Sequence, residues 1–142
     1  MFLLGHSAGG VVSCTYALDR QNELTGLICE SFANRVPAPG PVLALIKGEI
    51  QPARTGAALL RATDRMTREF GRITLPVFIM HGTADKATMP VGSQFFHDHA
   101  GSSDKSLKLY DGHFHDLLND IGKEQVMADV VEWIGARLPA GR

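Results

Sequence analysis

The amino-acid sequence predicts an α/β fold, in which a mostly parallel sheet is flanked by helices. Residues 24–29 and 75–80 are short apolar runs bounded by polar or glycine-rich segments, which is typical of parallel strands buried on both faces. Near the carboxyl end, apolar side chains recur at helical spacing and predict a helix with one face on the core. Strands that alternate with helices along a chain favour this fold class. The residues of the helical stripe are Val126, Met127, Val130, Val131, Ile134 and Leu138.

The sheet is predicted to contain two further strands. Residues 2–4 form an apolar run that ends at Gly5, and a helix-compatible stretch rich in small residues begins at Ala8. Residues 107–110 alternate leucine with lysine or tyrosine. This alternation predicts a strand at the margin of the sheet, where one face is wetter.

Length and composition predict a single globular domain over residues 1–142, because a chain with 44% hydrophobic residues can bury a core. The net charge of -1 provides no broad field to attract nucleic acid or an anionic membrane, so small-molecule partners are expected. No apolar run of eighteen residues and no secretory signal is found, which predicts a cytoplasmic protein. Cys14 and Cys29 fall in different predicted elements, where two buried free thiols are expected. The oligomeric state stays open.

Residues 32–72 break the alternation of strands and helices, and we predict that they form a cap inserted into the domain. Residues 42–46 form an apolar stretch within it that permits, without requiring, peripheral contact with a membrane. A surface excursion with no role in substrate binding is the alternative. Four prolines divide the segment, and later apolar residues roughly follow one helical face: Pro37, Pro39, Pro41 and Pro52, then Leu59, Leu60, Met66 and Phe70.

The motif Gly5-His6-Ser7-Ala8-Gly9 fits a nucleophile elbow, a sharp G-x-S-x-G turn that exposes a serine hydroxyl between a strand and a helix. Such a turn requires small residues two positions before and after the serine, as Gly5 and Gly9 are. The motif predicts Ser7 as the nucleophile of a serine hydrolase. A structural serine in a tight turn is the alternative.

A serine nucleophile needs a base, usually histidine, and a third group that orients the base. The strand predicted at residues 75–80 leads to Asp85 just past its carboxyl end, where parallel sheets collect functional groups. We therefore predict Asp85 as the orienting acid, with a turn or capping role as the alternative. Asp98, Asp111 and Asp116 are weaker candidates.

Two histidines follow the last predicted strand, and the residues alone do not decide which one is the base. His113 and His115 both lie after Gly112, which supplies a turn, and either side chain could reach Ser7. A metal site is a competing interpretation of the pairs His97/His99 and His113/His115. His-x-His pairs without further ligands are a weak signal, so no metal is predicted. His81 is expected to line a turn or pocket.

Three stretches of the sequence resemble the α/β-hydrolase superfamily, and within it the monoacylglycerol lipase and serine aminopeptidase-like group. They are Gly-His-Ser-Ala-Gly-Gly at 5–10, Leu-Pro-Val-Phe-Ile-Met-His-Gly-Thr-Ala-Asp at 75–85, and Lys-Ser-Leu-Lys-Leu-Tyr-Asp-Gly-His-Phe-His at 105–115. The resemblance implies a triad of Ser7, Asp85 and His115, since the histidine that closes the third motif is the catalytic one in that group. It also implies an ester or lipid substrate, such as a glycerol ester or lysophospholipid, with no cofactor.

The chain departs from the pattern of this group in two ways. Several strands and a loop that supplies an oxyanion-hole N–H normally precede the elbow, and the cap is normally longer, as though residues were missing near positions 47–50. We therefore expect the carboxyl-terminal part of an α/β-hydrolase fold with a shortened cap, and Ala8 N–H as the one identifiable oxyanion donor. Loss of the second donor predicts impaired catalysis. A non-catalytic remnant that binds a lipid or protein, and a peptidase or thioesterase, are the alternatives.

Overall fold

The computed structural model describes residues 1–34 and 53–139, of which residues 53–57 are described by their backbone alone. Strands and helices alternate through these ranges, and short 3-10 turns at Gln21–Glu23 and Phe70–Arg72 lead towards the second and third strands. The elements are β1 (Phe2–His6), α1 (Ala8–Arg20), β2 (Gly26–Glu30), α2 (Ala53–Glu69), β3 (Val77–Gly82), α3 (Pro90–His99), β4 (Lys105–Tyr110) and α4 (Lys123–Gly135).

The four described strands form one parallel sheet in the order β1-β2-β3-β4. The register pairs Leu3 with Leu27, Leu27 with Val77, and Val77 with Lys105. The predicted α/β class and the marginal position of β4 are confirmed. Because all four strands run the same way, their carboxyl ends meet at one edge of the sheet, and this edge holds the candidate site.

Helices cover both faces of the sheet. On one face, side chains of α1, α2 and α3 form a core that includes Cys14, Met66 and Phe96. On the other face, α4 lays Trp133 against the sheet. A Cβ at Gly26 would lie 2.6 Å from the Trp133 ring, so β2 needs a glycine where this ring crosses it. The inner strands β2 and β3 are therefore buried on both sides, as predicted.

The apolar stripe of the last helix faces the core only in part. Val126 is buried and Val130 and Ile134 are partly buried, but Met127, Val131 and Leu138 are 44%, 70% and 56% exposed. The prediction that the whole stripe packs on the core was wrong for these three residues. Each residue advances about 100° around a helix, so the side that packs on the sheet holds Trp133, Val126, Val130 and Ile134. Met127 and Val131 lie beyond that side, and Leu138 follows the end of α4.

The predicted cap, residues 32–72, has buried residues at both of its ends, where the structure describes it. Phe32, Met66 and Phe70 are fully buried, whereas Leu60 is exposed, so the predicted helical face was wrong at that position. Arg65 of α2 donates two hydrogen bonds to the Asp19 carboxylate of α1, at 2.5 and 2.9 Å. The four prolines and the apolar stretch 42–46 lie outside the described residues, and the bounds of the cap stay a prediction.

Cys14 on α1 and Cys29 on β2 are buried free thiols whose sulfur atoms lie 3.6 Å apart. Burial raises the pKa of the Cys14 thiol well above its ordinary value, so this thiol stays protonated.

Among residues 1–34 and 53–139, no helix has the length and apolar character needed to cross a bilayer.

Candidate active site

Ser7 occupies the junction between β1 and α1 in a backbone conformation that residues other than glycine rarely adopt. Its φ is 53° and its ψ is -121°. The Ser7 N–H donates to the Glu30 carbonyl at 2.9 Å, and the Ser7 carbonyl accepts from the Gly10 N–H at 3.0 Å. Such conformations cost about 1–3 kcal/mol and persist where the surroundings impose them. The elbow therefore has the sharp strand-to-helix turn expected from its sequence.

Two glycines make room for the elbow, and they are not the pair expected from the motif. A Cβ at Gly5 would lie 2.5 Å from both the Gly9 carbonyl oxygen and the Ser13 hydroxyl. A Cβ at Gly10 would lie 2.7 Å from the Phe32 ring, whereas a Cβ at Gly9 would meet no described atom within 4 Å. Among the described residues, therefore, no contact requires Gly9 to be small, and that expectation stays a prediction.

Asp85 lies in the turn after β3, and its side chain is fully buried. Its Oδ1 accepts the N–H groups of Ala87 and Thr88 at 2.7 and 3.0 Å, and its Oδ2 accepts the Thr88 hydroxyl at 2.7 Å. Burial alone would raise the pKa of Asp85, but the hydrogen bonds from His115, Thr88 and Ala87 outweigh burial and lower that pKa below its ordinary value. The carboxylate is therefore ionised at neutral pH.

His115 contacts Asp85 directly, with 2.8 Å between its Nδ1 and the Asp85 Oδ2. The loop that carries it crosses β3 at Gly82, where a Cβ would lie 2.2 Å from the His113 carbonyl oxygen. The ring of His115 also packs on that of His6, with 4.9 Å between the ring centroids. Because His6 directly precedes Ser7, this ring contact brings His115 beside the elbow, although no hydrogen bond joins His115 to the Ser7 hydroxyl among the described residues.

His113, the other histidine left open by the sequence, does not contact Asp85. Its Nδ1 lies 3.2 Å from the Asp111 carbonyl oxygen, and its ring packs on Tyr110. The weaker acid candidates lie elsewhere as well. Asp98 accepts from Gln94, Asp111 accepts from the Thr83 hydroxyl, and Asp116 accepts from Asn119.

Sequence reasoning missed the contacts that three residues make around the candidate triad. His81, expected to line a pocket, lies with its Nε2 3.0 Å from the Asp85 Oδ2. Thr88 bonds Asp85 through both its N–H and its hydroxyl. Glu30, at the end of β2, is 2% exposed and lies with its Oε2 3.5 Å from the His6 Nδ1. A charged residue that ends an otherwise apolar strand was the one signal available for Glu30.

Metal-ligating groups come together at one place in the described part of the chain. His6, Glu30 and Asp116 each offer one ligand atom, and these atoms lie within 4.8 Å of one another. Glu30 also accepts the Leu118 N–H at 3.3 Å. Of the two pairs suggested by sequence, His97/His99 lies in the last turn of α3 and His113/His115 in the loop after β4. Since Asp116 is exposed and its oxygens bond Asn119, the cluster shows no dedicated metal geometry.

Ala8, the predicted oxyanion donor, is the first residue of α1. The first N–H groups of a helix have no acceptor within the helix, and they carry the positive end of its dipole. The Ala8 N–H follows Ser7 directly and is therefore suited to meet a negative oxygen. Its role as an oxyanion donor stays a prediction.

A family model described as serine aminopeptidase, S33 matches residues 44–122, which is more than half of the chain. Among curated proteins, caffeoylshikimate esterase of Arabidopsis thaliana is 42% identical over 83 residues, 56% of this chain and 25% of the relative. Monoglyceride lipase of Mus musculus is 26% identical over 181 aligned positions, which cover 99% of this chain and 60% of the relative. The chain thus spans about 60% of the length of that lipase.

Solved structures show the same fold. The crystal structure of Paleococcus ferrophilus monoacylglycerol lipase superposes with a TM-score of 0.87 at 24% identity, over 96% of this chain and 68% of that one. A soluble variant of monoglyceride lipase from Saccharomyces cerevisiae gives a TM-score of 0.83 at 21% identity, over 98% of this chain and 62% of that one. The chain belongs to the serine aminopeptidase S33 family and has the carboxyl-terminal part of an α/β-hydrolase fold.

Proposed function

We propose that this chain carries the reacting groups of a serine hydrolase that cleaves carboxylic esters. Ser7 is the nucleophile, His115 the general base and Asp85 the acid that orients the base. The observation that carries the proposal is the 2.8 Å contact of His115 Nδ1 with Asp85 Oδ2 beside a serine in elbow geometry. Nucleophile, orienting acid and base then follow in the chain order typical of nucleophile elbows.

In the proposed reaction, His115 Nε2 takes the proton of the Ser7 hydroxyl as its oxygen attacks the ester carbonyl carbon. The tetrahedral intermediate collapses, and the imidazolium gives this proton to the departing alcohol. An acyl-enzyme on Ser7 remains. Water then attacks the acyl carbon with His115 again as base, which releases the acid and restores the serine.

Asp85 acts in these steps without taking up a proton. The hydrogen bonds that lower its pKa keep it ionised, so it holds His115 with Nδ1–H towards the acid and stabilises the imidazolium. The Ala8 N–H donates to the oxyanion of the tetrahedral intermediate, and one such donor is worth about a hundred- to thousandfold in rate. All steps use protein groups and water.

We propose glycerol monoesters as the substrate class. The support is the mouse monoglyceride lipase, whose alignment covers 99% of this chain, whereas the alignment to the plant esterase covers 56%. The cap predicted at residues 32–72 would then cover the acyl chain and provide any membrane contact. The description of the family model favours a second candidate, a peptidase that uses the same three residues on an amide.

The test is labelling of the natively expressed protein with a fluorophosphonate, which reacts covalently with an activated serine. We expect an adduct on Ser7 and none in a Ser7→Ala variant that melts at the same temperature. A folded protein whose Ser7 takes no label would overturn the proposal and leave a binding module as the better description. Hydrolysis of a monoacylglycerol, an aminoacyl anilide and a thioester under the same conditions then separates esterase, peptidase and thioesterase.

A further inference from the structure

His81 is a fully buried histidine at the end of β3 that the reaction above does not use. Both of its ring nitrogens face polar groups. Nδ1 lies 2.7 Å from the Ser93 hydroxyl of α3, which is also fully buried, and Nε2 lies 3.0 Å from the Asp85 Oδ2. The same carboxylate oxygen contacts His115, so two imidazoles share one acceptor.

The contacts of His81 define which of its nitrogens carries the proton. An ionised carboxylate and a carbonyl oxygen can only accept, so Nε2 must carry a hydrogen, which lies between the Asp85 Oδ2 at 3.0 Å and the Thr88 carbonyl oxygen at 3.4 Å. Nδ1 is then the acceptor, and the Ser93 hydroxyl donates to it. The alternative tautomer would set the Nε2 lone pair against the carboxylate at 3.0 Å. Burial lowers the pKa of His81, although Asp85 opposes that shift, so the ring acts as a neutral donor.

Building on the proposed function, we propose that His81 is a positioning residue that sets, through Asp85, the orientation and the basicity of His115. Its Nε2–H takes part of the negative charge of Oδ2, the atom that also accepts from His115. Every donor to this oxygen weakens it as an acceptor for the others. Ser93 strengthens the effect, since donation to Nδ1 makes the Nε2–H a better donor.

Other ionisable groups lie near His115 and could also affect its pH dependence. The ring of His6 on β1 packs on His115, and Glu30 on β2 and Asp116 in the loop after His115 lie next to His6. Among the described residues, none of these groups contacts His81, whose own ionisable neighbours are Asp85 and His115. A variant at His81 therefore changes the acid side of the site and leaves the groups around His6 in place.

The test compares His81→Leu, which removes the donor, with His81→Gln, whose side-chain nitrogen lies about as far from Cβ as Nε2 and can still donate. In His81→Leu the acidic limb of kcat/KM against pH should move upward by about half a pH unit, the size expected from one hydrogen bond. The proton resonance of the His115–Asp85 hydrogen bond should move downfield. His81→Gln should return both readings towards the wild type.

If His81 has a purely structural role, His81→Leu should lower the activity or the melting temperature but should move neither the acidic limb of kcat/KM nor the proton resonance of the His115–Asp85 hydrogen bond. That result would overturn the proposal. If His81→Leu does not fold, Ser93→Ala should give a smaller displacement in the same direction, and no displacement again contradicts us. The resonance separates the two proposals, because it reports on His115 without turnover. A shifted resonance in a protein that cleaves no ester supports His81 and sinks the hydrolase.

Discussion

The acid side and the serine side of the candidate site are held in place by different forces. On the acid side, five polar contacts to N–H or O–H groups converge on the buried Asp85 carboxylate, from Ala87, Thr88, His81 and His115. On the serine side, Ser7 is held by backbone hydrogen bonds and by the closeness of α1 to β1. Steric fit, rather than side-chain hydrogen bonding, fixes its position.

The same contrast appears in the polar atoms that have no partner. The His6 Nδ1, beside the elbow, is buried and makes no hydrogen bond within the described residues. The Asp85 oxygens, in contrast, are each bonded at least twice. The difference predicts that isosteric polar substitutions damage the acid side, whereas one added carbon atom damages the serine side.

Asp85→Asn should have the largest effect, because it keeps the shape of the side chain and removes its charge. The new amide can donate to His115 and favour the wrong tautomer, so kcat should fall by about ten-thousandfold. The lowered pKa of Asp85 means that its ionisation stabilises the fold above the pH range where an unfolded aspartate titrates. The free energy of unfolding should therefore drop at pH 7, and the difference should start to shrink below about pH 4 and be lost as the pH falls through the lowered pKa of the folded state.

Asp98→Asn is the matched control for this change. Asp98 is exposed on α3, where its carboxylate bonds Gln94 and His97. We expect its ester hydrolysis to stay within about twofold of the wild type, as for most surface substitutions. Equal losses in the two variants, or an Asp85→Asn protein that keeps a tenth of its activity, would contradict the role given to Asp85.

Gly5→Ala should break the serine side by steric clash alone. The added Cβ would lie 2.5 Å from the Gly9 carbonyl oxygen, and backbone atoms at such a distance cannot move away cheaply. We expect a loss of about 1–3 kcal/mol in the free energy of unfolding, the usual cost of overpacking. Labelling of Ser7 by a fluorophosphonate should slow at least tenfold. An unchanged labelling rate would mean that the elbow is not held by this contact.

The same contrast explains which parts of the fold and of the site could be predicted from the sequence. Strands β2 and β3 and the placement of Asp85 follow from local patterns, since an apolar run followed by a turn predicts a strand end. The contacts of Glu30 with Leu118, and of His81 with Ser93, join residues 88 and 12 positions apart. No local pattern predicts such pairs. The exposed half of the α4 stripe was missed for the same reason, because the period of a stripe does not tell how much of it a sheet covers.

Glu30→Gln should make the fold more stable, because the buried carboxylate of Glu30 on the serine side is unfavourable when ionised. Burial raises the pKa of the Glu30 carboxyl, although His6 and the Leu118 N–H oppose that shift, so the ionised side chain is disfavoured in the fold. A neutral amide can keep the bond from Leu118 and donate to the His6 Nδ1. We expect about 1 kcal/mol of added stability at pH 7, which disappears below about pH 4. Thermal unfolding at both pH values measures it, and a lower stability at pH 7 would contradict this account.

The smallest effect is expected for Gly9→Ala, which tests whether the fold needs the small residue that the motif specifies at this position. The motif requires a small residue at Gly9, but a Cβ there would meet no described atom within 4 Å, and the residue lies inside α1. Alanine favours a helix over glycine by up to about 1 kcal/mol, and less in the first turn, so Gly9→Ala should raise the free energy of unfolding by roughly 0.5 kcal/mol. Labelling of Ser7 should stay within about twofold of the wild type. A large loss in both measurements, comparable with that of Gly5→Ala, would show that the elbow is crowded on its helix side as well as on its strand side.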